Sequence, residues 1–382
     1  MTGPATRLGL LHGDGIGPEI VPATVLVVEA AVAAAGCAPI EWIELPTGWR
    51  GLEEADSTLP EHTHRTLAEL PGWITGPHDS SAYPQPWRGR LSPHGALRQR
   101  FELYANLRPV RVLPGVKPVV EGIDVAFARE NTEGFYSDRA VVAGTGEVMP
   151  TADVALNIGV FTRRRATQIA HAACRLARQR RGRVTVVHKA HVLALTMGLY
   201  LDVAREVAAT YPDVVLDEVH VDAATVHLVR DPGRFDVLLT ENMHGDILSD
   251  LAGELAGALG MSPSLNAGDD KAMAQAAHGS APDIAGRGVA NPIGLMLSAE
   301  LLLRWLDDNG HGEGLAAAAD LLRGGVEERL AAGRGTPDLR GPDTTAGFAE
   351  AVAARITSWS DSGAAPGPPT TSPSPAPRAP RG

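Results

Sequence analysis

Short apolar runs alternate along the chain with longer stretches whose apolar residues recur every three or four positions. The run "RLGLL" at residues 7–11 reads as a strand. The "PEIVPATVLVVEAAVAAAG" that follows reads as a helix stopped at Gly36. "IEWIEL" alternates like a half-buried strand, and "DVAFARE", "VTVVHK" and "FDVLLTEN" read as buried strands. "TRRRATQIAHAACRLARQRR" carries its apolar residues at helical spacing and ends at Gly182. Strands interleaved with helices predict an α/β fold. No internal repeat is visible. Residues 361–382 hold seven prolines and no large apolar side chain. Such a segment buries too little surface to offset its ordering entropy and is predicted disordered.

Length and composition narrow the function. The 382 residues suffice for two domains or one large α/β unit. Forty-five acids against 34 bases give a net charge of −11, which disfavours a nucleic-acid partner. A local arginine cluster can still outvote that charge for a small anion. The start lacks a basic segment followed by an apolar run, and no stretch approaches 18 uninterrupted apolar residues, so a cytoplasmic protein without a membrane span is expected. Cys37 and Cys174 sit in Ala-rich helical patterns and are read as two small buried thiols.

Three sets of residues carry candidate chemistry. "GDGIGPE" (Gly13 to Glu19) starts like a dinucleotide fingerprint but has Pro18 where the third glycine belongs. It is either a tight glycine turn or a loop that lets backbone approach a ligand. In "ENMHGDILSDLAGEL", Asp246 and Asp250 lie four apart and share a helix face. Like charges at that spacing suit a hard divalent cation such as Mg2+ or Mn2+, or else a solvated face. Asp222 closes another apolar run. Arg98, Arg108 and Arg129 either fork onto substrate carboxylates or pair internally with Glu102 or Glu130. Tyr136 and Lys189 are lone candidates for proton transfer.

Taken in order, "GDGIGPE", "ELYANLRPV", "RENTEGFYS", "VHKAHVLALT", "NMHGDILSDLAGEL" and "HGSAPDIAGRGVANP" resemble the β-decarboxylating dehydrogenases of isocitrate, isopropylmalate, homoisocitrate and tartrate, over roughly residues 7–355. The resemblance implies a two-domain α/β homodimer that does not place NAD on a Rossmann loop. Residues 1–103 with 257–360 would form the large domain, and 104–256 the small, dimerising one. It implies that Asp246 and Asp250 hold the metal, with Asp222 given by the neighbouring subunit. Arg98, Arg108 and Arg129 would hold the malate core of a hydroxy-polycarboxylate. Tyr136 would supply a proton after CO2 leaves, and Lys189, again from the partner, would help remove the hydroxyl proton. His278, Gly279, Ser280, Ala281, Pro282, Asp283, Ile284 and Asn291 would wrap the cofactor. Asp283 lies where the ribose 2′-hydroxyl is expected. A carboxylate there accepts a hydrogen bond and repels a 2′-phosphate, which predicts NAD.

The chain also departs from the family pattern. Ser92 is kept, but His94 stands where isocitrate enzymes carry Asn. Both are expected to face the substrate, with Arg88 and Arg90 near, which favours a polar side group and an isocitrate- or homoisocitrate-like acid. His191 replaces the Asn of "KAN" near the nicotinamide, and Met197, Glu241 and His244 depart as well. These changes suggest a member specialised for an unusual substrate. Competing readings are an isopropylmalate, tartrate or malate enzyme, and a non-catalytic regulatory subunit.

Overall fold

The computed structural model describes residues 5–136, 146–257 and 259–362. The Pro-rich segment lies outside these residues, except that Asp361 and Ser362 continue the last helix.

Among the described residues there are twelve strands: β1 (Thr6–Leu11), β2 (Ile40–Glu44), β3 (Gly72–Thr75), β4 (Ala105–Arg111), β5 (Asp124–Glu130), β6 (Glu147–Thr151), β7 (Val154–Asn157), β8 (Arg183–His188), β9 (Val215–His220), β10 (Val237–Thr240), β11 (Leu265–Ala267) and β12 (Ala272–Ala274). The helices are α1 (Gly17–Ala34), α2 (Gly48–Ala55), α3 (Glu61–Ala68), α4 (Pro93–Arg100), α5 (Arg163–Arg178), α6 (Thr196–Ala208), α7 (Val221–Arg230), α8 (Asn242–Leu255), α9 (Ile293–Asp308), α10 (Leu315–Ala331) and α11 (Thr345–Ser362).

Ten strands form one mixed sheet in the order β2-β1-β3-β12-β11-β4-β5-β10-β8-β9. Its flanks are parallel, as strand–helix–strand units require. Its middle, β12-β11-β4-β5, is antiparallel. The α/β expectation holds, as a large mixed sheet. Pro109 sits inside β4, but past the end of β11, where β5 is the only strand beside it. That is where a strand tolerates proline.

One core gathers residues from both ends of the chain, from Leu8 and Val27 to Met296, Phe348 and Ile356. Helix α1 is long and apolar enough to cross a membrane by length and composition, but half of it is buried in this core, against α10 and α11. A second core holds β5, β8, β10, α5 and α6, and a third packs α8 on β5 and β10. Gly36 adopts φ +70° just past α1, which makes it the stop the pattern predicted. Cys174 is buried as expected. Cys37 is not: it lies past the end of α1, half-buried beside Gly314.

Candidate active site

Register places the arginines. Asn106 on β4 lies directly opposite Arg129 on β5, and Arg108 is two residues along β4. Side chains alternate along a strand, so all three project from one face of the sheet. Helix α8 covers that face. It begins at Glu241, whose carboxylate caps it by accepting from the Met243 and His244 amides. Gly245 lets it come close: a Cβ there would lie 2.3 Å from Thr240 Oγ1 and 2.7 Å from Arg129 Cγ.

This packing brings Asp246 and Asp250 onto the arginines. Arg129, 2% exposed, donates to Asp246, and its Nε and Nη2 reach Asn242 Oδ1 at 3.1 and 2.7 Å. Arg108 Nη1 donates to Asp250 Oδ1 at 3.1 Å and Ser249 Oγ at 2.8 Å, and Nη2 lies 3.3 Å from Asp246. Tyr136 Oη donates to Asp246 Oδ2 at 2.9 Å, and Arg129 lies over the Tyr136 ring. Internal pairing of the arginines with Glu102 or Glu130 does not occur. Glu102 binds Arg164 and Arg165, and Glu130 accepts from the Thr132 and Glu133 amides.

The two acids differ electrostatically. Burial pushes the Asp246 carboxyl up, but Arg129 and Arg108 outweigh it and hold the group below the usual carboxylate range. Burial, with the Asp246 carboxylate adding, leaves Asp250 above that range although Arg108 opposes. Arg108 is itself pushed down to about 10, first by burial and then by Arg129. The cluster thus sets two arginines against two carboxyl groups, with the Tyr136 hydroxyl on Asp246.

Lys189 and Asp222 form a separate pair. Lys189 follows β8, Asp222 lies in the first turn of α7, and Lys189 Nζ is 2.7 Å from Asp222 Oδ1. That contact holds the exposed Asp222 carboxyl below its ordinary range. Exposed His191 tilts its ring against His220 beside this pair. No hydrogen bond or ion pair among the described residues joins Lys189 or Asp222 to Asp246 or Asp250, and no three metal-ligating side chains converge within one chain.

The segment expected to wrap a cofactor is braced by the glycine-rich loop. The Ile16 amide donates to Ser280 O at 2.9 Å, and a Cβ on Gly15 (φ +57°) would lie 2.1 Å from that oxygen. Glu19 accepts from the Gly286 amide and from the Gly288 amide at 2.8 Å. Ser280 is buried, Ala281 has φ +39°, and Pro282 and Asp283 are exposed. Ile284 packs on the core, His278 Nδ1 meets Gly279 O at 3.0 Å, and Asn291 bonds Asp338 and the Ile293 amide. The loop is thus a turn with a task the sequence did not reveal. Asp14, 4% exposed, also accepts from the Trp49 and Asp79 amides and from Tyr83, which ties down residues 78–83.

The remaining candidates lie on α4. Ser92 caps it, accepting from Gly95 N at 3.1 Å. Arg98 Nη2 donates to Gln275 Oε1 at 2.8 Å. His94 is 7% exposed, and both its ring nitrogens meet protein groups: Gly76 O, Thr75 and His78 at Nε2, and Gln275 at Nδ1. Gln275 and Asn266 were missed by sequence reasoning, because three-residue strands carry no readable periodicity.

The geometry thus defines a cluster in which an acidic helix face meets two arginines and a tyrosine hydroxyl. The chain belongs to the isocitrate/isopropylmalate dehydrogenase family, whose model matches residues 7–352, and whose members oxidise and decarboxylate hydroxy acids. It is 40% identical over 351 residues to the isocitrate/homoisocitrate dehydrogenase of Thermus thermophilus, covering 91% of this chain and 98% of that protein. It is 37% identical over 355 residues to the 3-isopropylmalate/3-methylmalate dehydrogenase of Methanocaldococcus jannaschii, covering 92% and 98%. Among solved structures, isocitrate dehydrogenase from Methylococcus capsulatus superposes with a TM-score of 0.81 at 36% identity, covering 92% of this chain and 99% of that one.

Proposed function

We propose that this chain is a homodimeric, NAD- and divalent-metal-dependent enzyme that oxidises and decarboxylates a 2-hydroxy acid with a malate core, isocitrate- or homoisocitrate-like. The observation that carries the reading is Asp246 and Asp250 on one face of α8, in contact with Arg108, Arg129 and Tyr136.

The donor set fits a hard cation. Asp246 and Asp250 offer oxygens on one helix face, both partly exposed, and burial, with Asp246 adding, disfavours the Asp250 carboxylate although Arg108 opposes, a cost a bound cation would relieve. A Mg2+ or Mn2+ bound there would supply Lewis-acid polarisation, and NAD bound along residues 278–291 would take the hydride. The chain's own groups do the rest. Arg98, Arg108 and Arg129 fork onto carboxylates and fix which carbon faces the cofactor. Lys189, with Asp222 beside it, takes the hydroxyl proton from across a subunit boundary. Tyr136, hydrogen-bonded to Asp246, returns a proton to carbon once CO2 has left. Exposed Asp283 accepts from the ribose hydroxyl.

Exposed apolar surface supports the dimer. Strands β6 and β7 form a two-stranded sheet exposed throughout, with Val148, Met149, Val154 and Leu156 open. A hairpin of that kind is marginal alone and calls for a partner. Leu195 is 88% exposed, and Ile247, next to Asp246, is exposed too, so the apolar surface borders the site. Residues 1–103 with 257–360, which share a core that Leu113 also joins and hold a second around Trp73, and 104–256, which hold two others, give the domain division of this proposal.

Steady-state assays with isocitrate, homoisocitrate, 3-isopropylmalate, tartrate and malate test the proposal. The account expects one CO2 per NADH with a tricarboxylate, loss of turnover with chelator, and preference for NAD. Best turnover of 3-isopropylmalate, NADH without CO2, or preference for NADP would each remove the corresponding part.

A further inference from the structure

The substrate arginines are joined by one buried chain of amide side chains, and its hydrogen-bond polarity is fixed from both ends. Arg108 Nε donates to Asn106 Oδ1 at 2.7 Å, which turns the Asn106 amide nitrogen toward Asn266 Oδ1 at 3.1 Å. Asn131 Nδ2 donates to the same oxygen at 2.9 Å, so the Asn266 nitrogen faces Met273 O and, at 3.4 Å, Gln275 Oε1. Arg98 Nη2 donates to Gln275 Oε1 at 2.8 Å. Guanidinium has donors only, so the oxygen of Gln275 must point at Arg98 and its nitrogen at His94 Nδ1, 3.0 Å away. His94 Nδ1 must then accept. At the far side His94 Nε2 lies 3.0 Å from Gly76 O, a pure acceptor, so Nε2 carries the hydrogen. His78 completes the arrangement: its Nδ1 is 3.0 Å from His94 Nε2 and its Nε2 is 3.0 Å from Thr47 Oγ1.

We propose that Gln275 and His94 are positioning residues that orient Arg98 toward the substrate and couple it to Arg108, with His94 held as the neutral Nε2–H tautomer rather than touching substrate itself. This rests on the reading of Arg98 as a carboxylate-binding residue. Burial supports a neutral His78 beside it, since it pushes the His78 imidazole down to about 4. A proton on His94 Nδ1 would face the Gln275 amide hydrogens. The amide would have to turn over and present its nitrogen to Arg98, which removes the acceptor that aims the guanidinium.

Two measurements decide this. First, two-bond proton–nitrogen correlation on the intact protein with 15N-labelled histidine reads the tautomer without any substitution. The proposal expects His94 neutral with an unprotonated Nδ1 at pH 7.5. An imidazolium or an Nδ1–H form overturns it. Second, the near-isosteric Gln275→Met is compared with Arg98→Met, using isocitrate as the probe substrate. Gln275→Met is expected to raise KM for isocitrate about tenfold, lower kcat by no more than about threefold, and move KM for NAD by less than about twofold. A substitution that merely loosened the fold would move both KM values together. If Arg98→Met raises the isocitrate KM and Gln275→Met does not, the relay is overturned while the substrate reading stands. If Arg98→Met leaves it unchanged, the substrate reading of Arg98 falls, and the relay that aims Arg98 falls with it.

Discussion

Arg108 contacts Asp246, Asp250, Ser249 and Asn106 at once, from a position 5% exposed. A lysine keeps the charge but has no fork, so it reaches one or two of these groups and leaves the others unpaired. Arg108→Lys is expected to lower kcat/KM by about 100-fold, on the order of 2.7 kcal/mol of transition-state stabilisation. Steady-state kinetics with the preferred acid measures it, and a loss below tenfold would contradict the placement of Arg108 at the site. Strand pattern alone made Arg129 visible, since a charge ending a buried run needs a partner. The identity of the partner was not legible. Asn242 and Asp246 lie more than a hundred residues away in sequence, and only the packing of α8 on β5 brings them over.

Helix α8 shows how one element sets the site. Its i, i+4 acids were legible from spacing, and so was the strand–helix passage before it. The need for Gly245 was not, because it comes from the Arg129 and Thr240 side chains beneath the helix. Gly245→Ala puts a Cβ 2.3 Å from Thr240 Oγ1 and 2.7 Å from Arg129 Cγ, so either α8 or the side chains beneath it must shift. Overpacking of this kind costs about 1–3 kcal/mol, so thermal unfolding should shift down by several degrees, with a larger proportional loss of kcat/KM. Unchanged activity would mean that the close approach is not needed. The start of α5 offers a pH test. Glu133 accepts from the Thr162 amide and hydroxyl, and burial, with the Glu130 carboxylate adding, pushes its carboxyl up to about 7. Its folded pKa lies above the ordinary value of about 4.5, so folding favours the protonated form. The contribution is full below about 4.5 and fades as pH rises through about 7. Glu133→Gln should therefore be about 1–2 kcal/mol more stable than the parent at pH 8 and equal to it near pH 4.5. Denaturation midpoints at the two pH values check this; a gap that widens in acid would contradict it.

At the scale of the molecule, one chain holds two separate clusters, which the proposed function reads as two half-sites. Asp246, Asp250, Tyr136 and the arginines form one, and the Lys189–Asp222 pair the other, with exposed Ile247 and Leu195 nearby. The family resemblance implies such a split and composition does not, because a residue's usefulness to a second copy leaves no local pattern. The α/β order of elements was legible from periodicity. The antiparallel middle of the sheet was not, since β11 and β12 are three residues each and the pairing of β11 with β4 is long-range. The central claim, a site completed between two copies, is tested most directly by mixing variants. Lys189→Met and Asp246→Asn homodimers should each lose at least about 100-fold in turnover. Refolded together at equal amounts, they should regain about a quarter of wild-type activity, because half of the mixed molecules' heterodimeric sites are intact. A mixture no more active than its parents would show that each chain works alone, and would contradict the account.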